Sequence, residues 1–162
     1  MRQVVLGVDP GSRNTGFGVV QGERDRLVHL AHGRIATNGR ASLPDRLRQI
    51  YDALADLIRR HRPHSLALED IFLAASVQSA LTLGQVRGVV LLAAAQAELP
   101  IHLYPALVVK KAVVGYGQAS KEQVRLMVER LLGLTVTNQH AADALAVGLC
   151  HLFNSPAHLK VV

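Results

Sequence analysis

The sequence predicts a single α/β domain on a mixed sheet. Three strand-like stretches follow one another at the N-terminus, close enough to pair antiparallel through tight connections. A fourth comes after a long amphipathic helix, and a crossover of that kind returns a strand parallel to the one it packs beside. A fifth short strand and further helices complete the chain, whose 162 residues, 49% of them hydrophobic, suffice for one domain with a real core.

Val4 to Val8 is a short apolar run, mostly β-branched, that ends on Asp9. Pro10 to Asn14 form a glycine-containing loop, and Thr15 to Val20 read as the second strand, which places Asp9 at the mouth of a hairpin. A carboxylate there either caps the turn or carries chemistry at a strand end. Leu27 to Ala36 give the third strand. Ser42 then caps a helix, with Asp45 three residues on and Pro44 in the first turn. Leu43, Leu47, Ile50, Leu54, Leu57 and Ile58 form its apolar stripe, and Arg59, Arg60, His61 and Arg62 precede Pro63. That basic cluster suits a helix C-terminus; contact with phosphates is the alternative reading.

Ser65 to Phe72 repeat the first design, a short apolar strand that runs into Glu69. If this strand neighbours the first, Asp9 and Glu69 end side by side, and two close carboxylates repel unless a cation joins them. A helix from about Val77 to Glu98 is apolar on every side, which predicts burial all round, one face being met either by a second protein chain or by a neighbouring helix. Pro100 to Pro105 make the last strand, and Pro105 to Val113 a short helix with Lys110 and Lys111. Ser120 and Gln123 form a capping box, where Lys121 opposes the helix dipole. Lys121 is therefore either a phosphate contact or a solvated lysine. The last helix opens near Asn138 and puts His140 and Asp143 on one face of an otherwise apolar segment. Residues 156–162 are expected to be a flexible tail beyond a domain of residues 1–155.

The net charge of +6 and pI near 10.1 favour a polyanionic partner. No uninterrupted apolar run reaches the roughly 18 residues of a membrane span, and the N-terminal run is short for a secretory segment. The single cysteine, Cys150, excludes an internal disulfide and a cysteine-rich zinc site. A cytoplasmic protein without membrane association is expected. Asp9, Glu69, His140 and Asp143 are three carboxylates and an imidazole, a donor set suited to a pair of Mg²⁺ or Mn²⁺ ions. Such a pair can activate water and stabilise the leaving oxygen of a phosphodiester, so metal-dependent hydrolysis of nucleic acid is the expected chemistry.

Asp9-Pro10-Gly11-Ser12 with Thr15-Gly16, Leu68-Glu69 with Phe72, Leu83-Gly84-Gln85 with Arg87-Gly88, Val109-Lys110 with Val113-Val114-Gly115 and Gly117, and Ala141 to Ala146 stand in one order along nearly the whole chain. Together they resemble the bacterial crossover junction endodeoxyribonuclease family, RuvC. The resemblance implies an RNase H-like fold, a five-stranded mixed sheet flanked by helices on both faces. It implies a homodimer that binds four-way Holliday junction DNA and nicks two strands of like polarity, leaving 5′-phosphate and 3′-hydroxyl ends, with the RuvA and RuvB branch-migration proteins as partners.

By the same resemblance Asp9, Glu69 and Asp143 fall on the catalytic carboxylates, and His140 on a position that holds Asp in many relatives and His in others. Lys110 and Lys121 fall on basic residues near the active site, Lys121 being counted with the catalytic set. Phe72 falls on an aromatic at the junction centre, where it can stack on an unpaired base; a core Phe is the alternative. Arg13, Arg87 and Lys111 complete the expected DNA contacts. Ala74 to Val77 carry no basic residue where some relatives have Lys, so a DNA contact from that loop lacks ionic support.

Three other readings compete. An actin-like sugar kinase or ATPase also opens with strand, Asp and glycine loop, but it needs a second phosphate loop and an adenosine pocket. A related RNase H-like nuclease acting on other branched DNA or RNA would not share the full motif order. A non-catalytic junction-binding module would not need four mutually repelling site residues.

Overall fold

The computed structural model describes residues 1–70 and 75–155. Phe72 and the tail 156–162 lie outside the described residues. The elements run β1 (Arg2–Asp9), β2 (Asn14–Glu23), β3 (Arg26–Ala36), α1 (Leu43–His61), β4 (Ser65–Asp70), α2 (Val77–Gln96), β5 (Ile101–Pro105), α3 (Ala106–Val114), α4 (Lys121–Leu132) and α5 (Gln139–Asn154). The sheet order is β3-β2-β1-β4-β5. β1 to β3 pair antiparallel, and β4 and β5 join in parallel. This is the expected five-stranded mixed sheet, and β4 does neighbour β1.

Alternation along the strands feeds two cores. Val4, Leu6, Val8, Leu66 and Leu68 pack with Ile50 and Leu54 of α1 and Val86 and Val90 of α2. Val5, Val20 and Ala67 face the other way, onto α5 backed by α3 and α4. Asp9 and Glu69, in phase with Val5 and Ala67, therefore aim at the α5 side. Gly7 and Gly16 let α5 lie close to the strands. A Cβ on Gly7 would stand 2.0 Å from the Ala144 carbonyl oxygen, and one on Gly16 2.0 Å from that of His140. The far end of α5 is tied by the buried His151. Its Nδ1 lies 2.7 Å from the Tyr104 hydroxyl, and its Nε2 lies 3.0 Å from Ser65 Oγ.

The capping expectations hold for α1 and α4. Ser42 accepts from the Asp45 amide, and Ser120 and Gln123 form a reciprocal box. Asn138 caps α5, accepting from the Ala141 amide.

Two expectations need correction. α2 is not buried all round: Val86, Val90, Ala93 and Ala94 are inside, but Val77 is 79% exposed, Leu81 61% and Leu92 51%. It also meets the length and mean hydropathy of a membrane span, 20 residues at 1.3, which a search for uninterrupted apolar runs passes over because Gln78, Ser79, Gln85 and Arg87 break the run. Its inner face covers the sheet and α1.

Candidate active site

Three elements bring the site together. Asp9 ends β1 and Glu69 stands next to the end of β4, held alongside because Val8 pairs in register with Leu68. His140 and Asp143 come from the first two turns of α5, pressed against β1 and β2 through the glycine contacts. Asp9, Glu69, His140 and Asp143 line one pocket of about 430 Å³ together with Lys110, Lys121, Gln139 and Pro10.

The internal contacts are specific. His140 Nδ1 lies 3.2 Å from Asp9 Oδ2. Gln139 Nε2 donates to Asp143 Oδ1 at 2.8 Å, and Lys121 Nζ lies 3.4 Å from Asp143 Oδ2. The Lys121 contact explains a lysine in the first turn of α4: it answers Asp143, not the dipole of its own helix. Burial pushes the Asp9 carboxyl up to about 6, with the Asp143 charge adding to the effect and the hydrogen bond from His140 opposing it. Glu69 is raised as well, first by burial and then by Asp9 and Asp143. Both carboxylates thus hold protons more tightly than exposed ones, as a half-buried cluster of like charges must.

As the side chains stand, no three His, Cys, Asp or Glu groups among the described residues close on one ion. Asp9 is turned to His140, and Asp143 to Gln139 and Lys121. The donor chemistry nevertheless fits a hard divalent cation. Three carboxylates and an imidazole share one pocket, and a cation would relieve the repulsion that raises Asp9 and Glu69.

The remaining expected contacts divide. Lys110 and Lys121 reach the pocket. Arg87 does not; its Nη1 pairs with Asp70 Oδ1 at 2.8 Å on the opposite face of the sheet. Lys111 is exposed on α3 outside the pocket lining. Arg13 lines a second groove on the α1–α2 side. Gln139 is the residue that sequence reasoning passed over, although its position four before Asp143 on a helix is a legible signal.

The family model for the crossover junction endodeoxyribonuclease RuvC matches residues 5–151. The chain belongs to the RuvC family. Crossover junction endodeoxyribonuclease RuvC of Gluconacetobacter diazotrophicus is 48% identical over 158 residues, 97% of this chain and 94% of that protein. The RuvC of Citrifermentans bemidjiense is 47% identical over 149 residues, 91% of each chain. Among solved structures, Thermus thermophilus RuvC in complex with a Holliday junction substrate superposes with a TM-score of 0.89 at 35% identity, covering 93% of both chains. The yeast mitochondrial Holliday junction resolvase Ydc2, at 14% identity and a TM-score of 0.65 over 92% of this chain and 77% of that one, shares the fold. Family, fold and the motif order across the site agree.

Proposed function

We propose that this chain is a Holliday junction resolvase, a metal-dependent endodeoxyribonuclease that nicks two strands of like polarity and leaves 5′-phosphate and 3′-hydroxyl ends. The observation that carries the proposal is the convergence of Asp9, Glu69, His140 and Asp143 on one pocket in a chain matched along almost its whole length by the RuvC family model.

Asp9, Glu69, Asp143 and His140 would hold two divalent ions, Mg²⁺ or Mn²⁺. Bound there, the ions supply an activated water and charge stabilisation for an in-line displacement. With its Nδ1 proton directed at Asp9, His140 keeps Nε2 free as a ligand. An imidazole in place of a carboxylate lowers the charge of the site and suits a softer ion, so Mn²⁺ serves at least as well as Mg²⁺. Gln139 fixes the rotamer of Asp143. Lys110 and Lys121 hold the phosphate and offset charge that grows in the transition state.

Junction cutting in symmetric pairs calls for a homodimer, and the exposed face of α2 supports one. Val77, Leu81, Gly84, Gly88 and Leu92 form a stripe at spacings of four, three, four and four. A Cβ on Gly84 or Gly88 would meet nothing within 4 Å, so a second helix has room to approach. The RuvA and RuvB proteins are the further partners the family resemblance implies. A DNA substrate places the protein in the cytoplasm, without a membrane.

The test is cleavage of a labelled synthetic four-way junction beside a matched linear duplex, with Mg²⁺, Mn²⁺ or EDTA and with Asp9→Asn as control. Paired, ligatable nicks in the junction alone, lost with EDTA or Asp9→Asn, are expected. Binding without cleavage in either metal would make the protein a recognition module. Indiscriminate cutting of duplex or RNA would overturn the assigned substrate.

A further inference from the structure

On the α1–α2 side of the sheet lies a second groove of about 420 Å³, lined by Ser12, Arg13, Arg46, Gln78, Ser79, Thr82 and Leu83. No carboxylate lines it, and neither arginine is ion-paired with a described residue. Among the described residues the buried Arg46 Nε has no hydrogen-bond partner, which costs free energy unless a ligand supplies an acceptor. The opening turn of α2 holds no acidic residue to satisfy its dipole.

The loop that presents Arg13 is pinned. Thr15 Oγ1 donates to the Gly11 carbonyl at 2.7 Å, Thr37 Oγ1 donates to the Ser12 carbonyl at 2.7 Å, and the Thr37 amide donates to the Arg13 carbonyl at 3.0 Å. Two arginines, three hydroxyls and an amide around a preorganised hollow match the chemistry of a phosphodiester oxygen.

Placement gives the groove its role. Ser12 follows Asp9 by three residues, a span of at most about 11 Å of extended chain. The two hollows therefore open at the same sheet edge, on opposite faces. A duplex arm advances 3.4 Å per base pair along each strand, so an arm whose scissile phosphate reaches Asp9 passes Ser12, at the rim of the groove, within about three or four base pairs.

We propose that Arg13, Arg46, Ser79 and Thr82 form a seat for one backbone phosphate of the DNA arm beside the cut, outside the catalytic pocket. The seat gives the α2 entry an ionic contact that Ala75, Ser76 and Val77 themselves lack. It rests on the resolvase reading for the identity of the DNA, and to Arg13, already expected to meet DNA, it adds Arg46, Ser79 and Thr82 around one phosphate.

Two variants test it, Arg46→Gln and Ser79→Asp. Ser79 is the third residue of α2, where a carboxylate favours the helix dipole, so Ser79→Asp puts a repelling charge in the seat without weakening the helix. Affinity for a synthetic four-way junction and for a linear duplex is measured in EDTA from 50 to 300 mM salt. Each variant is expected to bind about tenfold more weakly at 100 mM salt. The slope of log Kd against log salt should fall by about 0.9 for Arg46→Gln, and the melting temperature of Ser79→Asp should be no lower than that of the parent. A Ser79→Asp protein that melts like the parent and binds junction and duplex with parental affinity and slope overturns the seat. If the parent binds duplex but does not distinguish a junction from it, the resolvase reading falls while the seat is still decided on the duplex. If the parent binds neither, both fall.

Discussion

α2 and α5 are both long and apolar, yet the sheet treats them differently. Eleven residues of α5, from Ala141 to Leu152, are buried. α5 lies between the sheet on one side and α3 and α4 on the other. α2 buries four residues and turns Val77, Leu81 and Leu92 outward. Burial along most of its length makes α5 a rigid mount, so its first two turns can hold His140 and Asp143 in a fixed relation to Asp9 and Glu69. Burial on one side leaves α2 with apolar surface to share. The proposed chemistry thus sits on the more enclosed helix, and the proposed self-association on the one that exposes apolar surface.

The largest expected effects lie on the α5 side. Asp143→Asn or Glu69→Gln should lower junction cleavage by about a thousandfold at unchanged junction affinity, measured as single-turnover rate and Kd. Gly7→Ala would drive a methyl into the Ala144 carbonyl and should cost about 1–3 kcal/mol of stability, read from chemical denaturation, with cleavage lost as α5 shifts. A Gly7→Ala protein of parental stability and rate would mean that α5 does not need its close seat.

On the α2 side, Leu81→Glu should leave the melting temperature within a few degrees of the parent while abolishing self-association in sedimentation. The side chain is 61% exposed in the isolated chain, so its cost appears only where two copies meet.

Titration separates the two ends of the α5 side, Asp9 of β1 at one and His151 of α5 at the other. Asp9 is lifted from 3.8 to about 6. Its ionised form is disfavoured by folding, so the metal-free protein loses stability as the pH rises towards and through 6. Asp9→Asn should then raise the melting temperature in EDTA at pH 7.5, and the gain should vanish near pH 4. His151 runs the other way. Burial, helped by His102, lowers it from 6.5 to about 4, so the neutral ring is the folded form and stability falls as the pH drops from 6.5 towards 4. His151→Asn should flatten that part of the profile. The smallest effect is expected for His140→Ala, which should reduce cleavage in Mn²⁺ more than in Mg²⁺; full activity in both would remove His140 from the ligand set.

Much of this was readable beforehand where one residue dictates one local outcome. Ser42, Ser120 and Asn138 cap helices because their side chains accept from the amides three positions on. Asp9 and Glu69 end adjacent because a crossover helix forces a parallel pair. What escaped depends on tertiary neighbours. An all-apolar pattern cannot distinguish a helix enclosed by its own chain from one left half open, so the sequence leaves open whether a neighbouring helix or a second chain meets the outer face of α2. Arg87 carries the right charge for DNA but pairs with Asp70, and the path of the first loop puts Arg13 in the second groove, so neither reaches the pocket around Asp9. Gly7 and Gly16 sit in strands, where their value is proximity to α5, and no local pattern announces that.

The division of labour between the two helices is tested most directly by cutting a four-way junction labelled on both target strands, with the parent and Leu81→Glu compared at equal occupancy of the junction. The parent should nick both strands within one binding event. Leu81→Glu, folded and monomeric, should give single nicks or none. A monomeric Leu81→Glu protein that still delivers paired, symmetric nicks at the parental rate would contradict the account.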